Sequence, residues 1–184
     1  MDALTDGVFA FAMTLLVISL DLPAGARVSS ASQLLAVLSD LQDNLLVYVI
    51  SFVVLGARWI RNAKDHDSDV WCSYSYAWAV IMHLFFITLV PFSTKLVGLY
   101  GDLWPAVCIY AANTICAALS SWRVANLLTA QENVPKPVDK RDLIVLLATA
   151  MLSCVLAFVA PGYSMYAYLL NGVSPFLHRG QQDD

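Results

Sequence analysis

Between Asp6 and Asp21 the chain carries no charge, and only Thr14 and Ser19 interrupt its apolar character. The run reads Leu4-Thr5-Asp6-Gly7-Val8-Phe9-Ala10-Phe11-Ala12-Met13-Thr14-Leu15-Leu16-Val17-Ile18-Ser19-Leu20. Gly7, Phe11, Thr14 and Ile18 recur at four-, three- and four-residue steps, so they share one helical face. A bulky apolar stripe broken by a single hydroxyl suits either a narrow pore or ordinary helix packing. From the residues alone, packing is the more ordinary reading. The segment has neither the basic start nor the small-residue cleavage site of a signal peptide, so a retained helix is expected.

The rest of the chain sets that helix in a membrane. Of 184 residues, 59% are hydrophobic and 13% charged, against roughly 25% charged in soluble domains. Several apolar runs approach the ~20 residues that cross a bilayer core. The net charge of −4 and the lack of a basic stripe exclude nucleic acid as a partner. Of the four cysteines, Cys72 sits at a helix start, while Cys108, Cys116 and Cys154 sit inside apolar runs. None has the spacing of a metal site, and they read as buried thiols. The expected class is an all-α membrane protein, one domain over residues 1–184, with no cofactor.

Six spans are predicted, at about 3–22, 43–60, 74–97, 103–122, 141–159 and 163–177. The first stops at Asp21-Leu22-Pro23-Ala24-Gly25. The second helix is expected to start near Ser30, with Leu34, Leu35, Leu38 and Leu41 on one side, and to run unbroken to Trp59. Such a helix of about 30 residues would be about 45 Å long and would tilt or protrude. Pro91 lies late in the third span, Ala130 to Pro137 form the clearest loop, and Asp139 is a candidate N-cap for the fifth span. Pro161-Gly162 separates a short last span containing Tyr163, Tyr166 and Tyr168. Arg58, Arg61, Lys64, Arg123, Lys136, Lys140, Arg141 and Arg179 fall on one side of this topology, with only Arg27 and Lys95 opposite. The positive-inside rule then places both termini in the cytoplasm of a multi-pass cell-membrane protein.

Chemistry has little support. Of the histidines, only His83 lies within a span. An ionisable residue there is a functional candidate by default, but with no acidic partner on its face a neutral imidazole bonded between helices is the stronger reading. Asp65-His66-Asp67-Ser68-Asp69 reads as a solvated turn rather than a metal site. No catalytic residues are assigned, and the chain is not expected to be an enzyme. Gly98-Leu99-Tyr100-Gly101 is similar to the filter of ordinary potassium channels, but it lacks the preceding Thr-Val and follows directly from a span, so it is rejected as a filter. No span has periodic arginines, and only Pro91 interrupts one. The broken, paired helices of secondary transporters are therefore not evident. A proton-coupled secondary transporter using His83 and Asp6 remains the alternative to a channel, and a non-conducting scaffold a further one.

Thr5-Asp6-Gly7-Val8-Phe9-Ala10-Phe11-Ala12 resembles the first-helix signature of the transmembrane protein 175 family, the endolysosomal potassium channels and their prokaryotic relatives. That motif opens with arginine and, after three variable residues, continues Phe-Ser-Asp. Pro91-Phe92-Ser93-Thr94 followed by Gly98-Leu99-Tyr100-Gly101-Asp102 is similar to the family's third-helix ending, and Trp59 to Trp78 fits the same frame. Here Leu4-Thr5-Asp6 stands for Phe-Ser-Asp, Asn62 stands where relatives have histidine, and the arginine's position falls one residue before Met1. The resemblance implies a homotetramer in the lipid bilayer, with first helices lining a central pore for monovalent cations, K⁺ above all. It further implies a hydrophobic constriction at Phe11, Leu15 and Ile18 with a hydroxyl layer at Thr14. Asp6, near the helix N-terminus where the dipole favours a carboxylate, is expected to bond neighbouring helices and hold the pore helix in place.

Overall fold

The structure is a computed structural model and describes residues 2–20, 29–65, 73–130 and 141–159. Every regular element among these residues is a helix. The proposed last span at 163–177, most of the Ala130–Pro137 loop, Asp139 and nearly all of the 65–69 acidic run lie outside them.

Helix α1, Asp2–Leu15, opens on an acidic residue, which its dipole favours. It then tightens into a 3₁₀ turn, Leu16–Ser19. Thr14 Oγ1 donates to the Phe11 carbonyl at 2.9 Å and Ser19 Oγ to the Leu16 carbonyl at 2.7 Å. These hydroxyls occupy carbonyls around the point where the α-ladder runs out.

Helix α2, Ala31–Asp40, is capped by Ser30, whose hydroxyl accepts from the Gln33 amide, while Gln33 Oε1 accepts from the Ser29 amide at 2.9 Å. This is close to a reciprocal capping box. The single long helix expected from Ser30 onward is instead divided at Leu41, and α3 runs Gln42–Asp65. The Leu41 amide reaches back to Leu38 O, and Gln42 Nε2 donates to Ser39 Oγ at 2.9 Å. Short polar side chains there compete with the ladder, and Asp43 then sits in the first turn of the new helix.

The third apolar stretch is divided as well. α4 is Tyr74–Thr88, capped by Ser73, and α5 is Val90–Tyr100, with Leu89 between them. Pro91 has no amide to donate to the carbonyl of Ile87, and its ring crowds that carbonyl, so the ladder breaks one turn before it. α6, Trp104–Thr129, takes Pro105 in its first turn, where a missing amide is harmless. α7 is Arg141–Val159.

Among the described residues, three stretches are long and apolar enough to cross a membrane: Asp2–Ser19, Gln42–Asn62 and Tyr74–Tyr100. One core layer joins Phe9, Ala12 and Leu16 to Leu55, Val80, Leu84, Ile87 and Ala117. A second joins Val47, Ile50 and Val54 to Val97, Tyr110, Leu146 and Ala150. Large apolar side chains are also plentiful on the outside: Phe52, Ile60, Phe85, Ile109, Met151 and Val155 are all exposed. So much bare apolar surface suits lipid or a neighbouring subunit rather than water.

Candidate pore-lining site

The two faces of α1 are sharply different. Thr5, Phe9, Ala12, Leu16 and Ser19 are buried, with Phe9 and Leu16 both 0% exposed. On the other side Phe11 is 72% exposed, Leu15 45% and Ile18 54%, and Thr14 is also exposed. The buried face packs on α3 and α4, and the 3₁₀ turn packs on α5 and α3. The four residues singled out from the sequence thus lie together on a face that the subunit itself leaves bare. Val17, about 100–120° around the axis from Ile18, is as exposed as Ile18.

Thr14 has a second property. Its hydroxyl hydrogen is given to the Phe11 carbonyl, which leaves the oxygen's lone pairs as acceptors on the exposed face.

At the other end of α1, Trp59 Nε1 donates to Asp6 Oδ1 at 2.9 Å, tying α1 to α3. Nearby the same two helices approach closely: a Cβ on Gly56 would lie 3.7 Å from Met13 Cε, an ordinary contact. Thr5 is buried beside this link, and Asp6 itself is exposed.

His83 is buried on α4. Its Nδ1 lies 3.1 Å from the Ala117 carbonyl oxygen and 3.1 Å from Ser120 Oγ. A carbonyl only accepts, and Ser120 gives its own hydrogen to Ala117 O at 2.9 Å. Nδ1 therefore carries the proton, and the ring is a strut between α4 and α6. The Phe9 ring also lies near it, with centroids 6.1 Å apart. The hydrogen bonds of His83 go to α6 and that of Asp6 to α3, so they join no common pair.

Sequence reasoning missed a buried hydroxyl cluster. Thr94 Oγ1 donates to Ser51 Oγ at 2.9 Å, and Ser51 Oγ lies 3.1 Å from Tyr110 Oη, joining α5, α3 and α6. The available signal was a hydroxyl-bearing residue within each of three apolar runs, but nothing in the sequence pairs them. Ser93 and Thr94 of the Pro91-Phe92-Ser93-Thr94 motif are thus buried within the subunit. Gly98, Leu99 and Tyr100 lie in the last turn of α5, so their carbonyls are arranged as in a helix and not as a filter. Among the described residues no group of three or more His, Cys, Asp or Glu is placed to hold a metal ion.

Comparison with known proteins agrees with this architecture. Residues 1–91 match the family model described as the endosomal/lysosomal potassium channel TMEM175. A potassium channel of Chryseobacterium sp. (strain P1-3) is 25% identical over 128 residues, 70% of this chain and 63% of that protein, so the match spans less than two thirds of the relative. A potassium channel of Chamaesiphon minutus (strain ATCC 27169 / PCC 6605) is 24% identical over 183 residues, covering 97% of this chain and 86% of the relative. The crystal structure of a lysosomal potassium-selective channel TMEM175 homologue from Chamaesiphon minutus superposes with a TM-score of 0.77 at 20% identity, over 98% of this chain and 96% of the other. The fold is therefore shared along nearly the whole length, and the first 91 residues match the TMEM175 family.

Proposed function

We propose that this chain is a potassium-permeable cation channel, assembled as a homotetramer in the cell membrane with both termini cytoplasmic. Its first helices line the pore, and a hydrophobic constriction at Phe11, Leu15 and Ile18 takes the place of a carbonyl filter. The observation that carries this reading is the bare stripe on a helix whose opposite face is the subunit core. An apolar face left exposed on a helix long enough to span needs lipid, a neighbour or a pore axis against it. A ring of four Phe11 side chains on a symmetry axis narrows the lumen below the width of a hydrated ion, and such a constriction gates by dewetting. Four Thr14 oxygens one turn further along would offer lone pairs to a partly dehydrated cation. The choice of ion follows the relatives named as potassium channels, and the orientation follows the distribution of Lys and Arg.

Reconstituted liposomes separate the readings. A channel dissipates a K⁺ gradient passively, at a rate that an imposed pH gradient does not drive. Potassium movement driven by, and stoichiometric with, proton flux would instead support a proton-coupled transporter. No flux of either kind would leave a membrane scaffold.

A further inference from the structure

We infer that Cys108 and Cys154 form a redox-modifiable thiol pair, which a peroxide closes to a disulfide tying α6 to α7. The two sulfurs lie 3.2 Å apart, on residues 46 positions apart in the sequence, one on α6 and one on α7. A disulfide needs S–S of about 2.05 Å, so closure asks for a sulfur movement of roughly 1.2 Å, within reach of small χ1 adjustments. Neither cysteine is fully buried. A small neutral oxidant therefore has access to them without unfolding of the bundle.

A second contact fixes the helix register. Trp104 stacks on Phe158 with centroids 5.4 Å apart and planes 25° from parallel. Cys108 is one turn after Trp104 on α6, and Cys154 is one turn before Phe158 on α7. The two pairs are successive rungs of one antiparallel helix pair, so the sulfur contact is a product of packing along both helices. α7 packs chiefly on α6, which makes a covalent tie at this point a tie of α7 to the bundle. Under the orientation proposed above, this end of the pair faces the non-cytoplasmic side, where disulfides persist. The chemistry itself is independent of that orientation.

The step balances with hydrogen peroxide. One sulfur, as thiolate, attacks a peroxide oxygen, breaking the O–O bond; the departing oxygen takes up protons as water and leaves a sulfenic acid. The neighbouring sulfur then attacks the sulfenic sulfur, forming S–S and releasing a second water. Two thiols lose two electrons and two protons, and the peroxide takes up both.

The test uses the full chain, purified in detergent, treated with hydrogen peroxide, alkylated with N-ethylmaleimide, digested and mapped by mass spectrometry. The expected product is a Cys108–Cys154 linked peptide pair, unlabelled and two hydrogens lighter than its parts. Cys116, about two turns further along α6, takes the label. Dithiothreitol should restore alkylation of both sulfurs. The oxidised protein should melt several degrees higher, a shift that reduction reverses and that is absent in Cys154→Ser and Cys108→Ala. Complete alkylation of both thiols after peroxide, or a link to Cys116 or Cys72 in place of this pair, would overturn the inference. The map of the unsubstituted chain decides the matter even where a variant loses its fold.

Discussion

The indole of Trp59 donates to the carboxylate of Asp6 at 2.9 Å, linking the first helix to α3. Asp6 is five residues before Phe11, which puts it about 140° around the helix from that side chain. Its hydrogen bond runs sideways to a neighbouring helix of the same subunit. A carboxylate held in this way suits an anchor for the helix better than a contact for passing ions.

The first prediction tests that anchor. Trp59→Phe keeps the ring and removes the donor, while Asp6→Ala removes the acceptor. Each should lower the melting temperature and the yield of assembled protein, and the double variant should show a coupling of about 1 kcal/mol, the usual net worth of one hydrogen bond. K⁺/Na⁺ permeability ratios should stay close to the unsubstituted value. A stable Asp6→Ala protein with lost cation preference would place the carboxylate in the ion path instead.

A second prediction concerns the buried hydroxyls. Ser51 is the shared partner of Thr94 and Tyr110, so Ser51→Ala removes both contacts, whereas Tyr110→Phe leaves the Thr94–Ser51 bond in place. Hydrogen bonds inside membrane proteins average about 0.6 kcal/mol and reach about 1.7. Ser51→Ala should therefore cost about 1 kcal/mol, more than Tyr110→Phe, whereas Phe9→Ala in the packed core should cost about 3–5 kcal/mol. Unfolding in mixed micelles orders the three. Ser51→Ala as costly as Phe9→Ala would mean that the cluster does more than join helices.

The third prediction separates packing glycines from a filter. A Cβ on Gly98 would lie 3.2 Å from Asn44 Oδ1, the movable end of a side chain, whereas one on Gly101 would lie 2.7 Å from the Val97 carbonyl oxygen. Gly98→Ala should be tolerated, Gly101→Ala should lower the melting temperature clearly, and Tyr100→Phe should do little. Permeability ratios measured in bilayers should be unchanged for Gly98→Ala and Tyr100→Phe. A tenfold loss of K⁺ preference in either would reinstate that segment as a filter.

Much of the candidate site was legible in the sequence because it is periodic. The spacing of Phe11, Thr14 and Ile18 defines one face in any regular helix, and Phe9 and Leu16 fall opposite without knowledge of the neighbours. The break near Pro91 was legible too, since a missing amide acts locally. The change to a 3₁₀ turn at Leu16 was not, nor was the exposure of Val17, which equals that of Ile18. The division at Leu41 had only weak local signals in Ser39, Asp40 and Asp43. Partners such as Trp59 for Asp6, Tyr110 for Ser51 and Cys154 for Cys108 depend on how distant helices dock, which composition and spacing do not encode. The stripe's exposure, in turn, becomes a pore only through the arrangement of several subunits.

The most direct test of the pore is single-channel recording in planar bilayers, with K⁺ and Na⁺ on opposite sides, for Phe11→Ala, Ile18→Ala and Leu16→Ala. Phe11 and Ile18 are exposed, and Leu16 is 0% exposed in the subunit core. Leu16→Ala should act on stability, by about 2–5 kcal/mol, and leave the unitary current of surviving channels unchanged. Phe11→Ala and Ile18→Ala should each raise the current or introduce leak, with a lower K⁺/Na⁺ permeability ratio. Unchanged currents and ratios in both would contradict the assignment and return the stripe to helix packing.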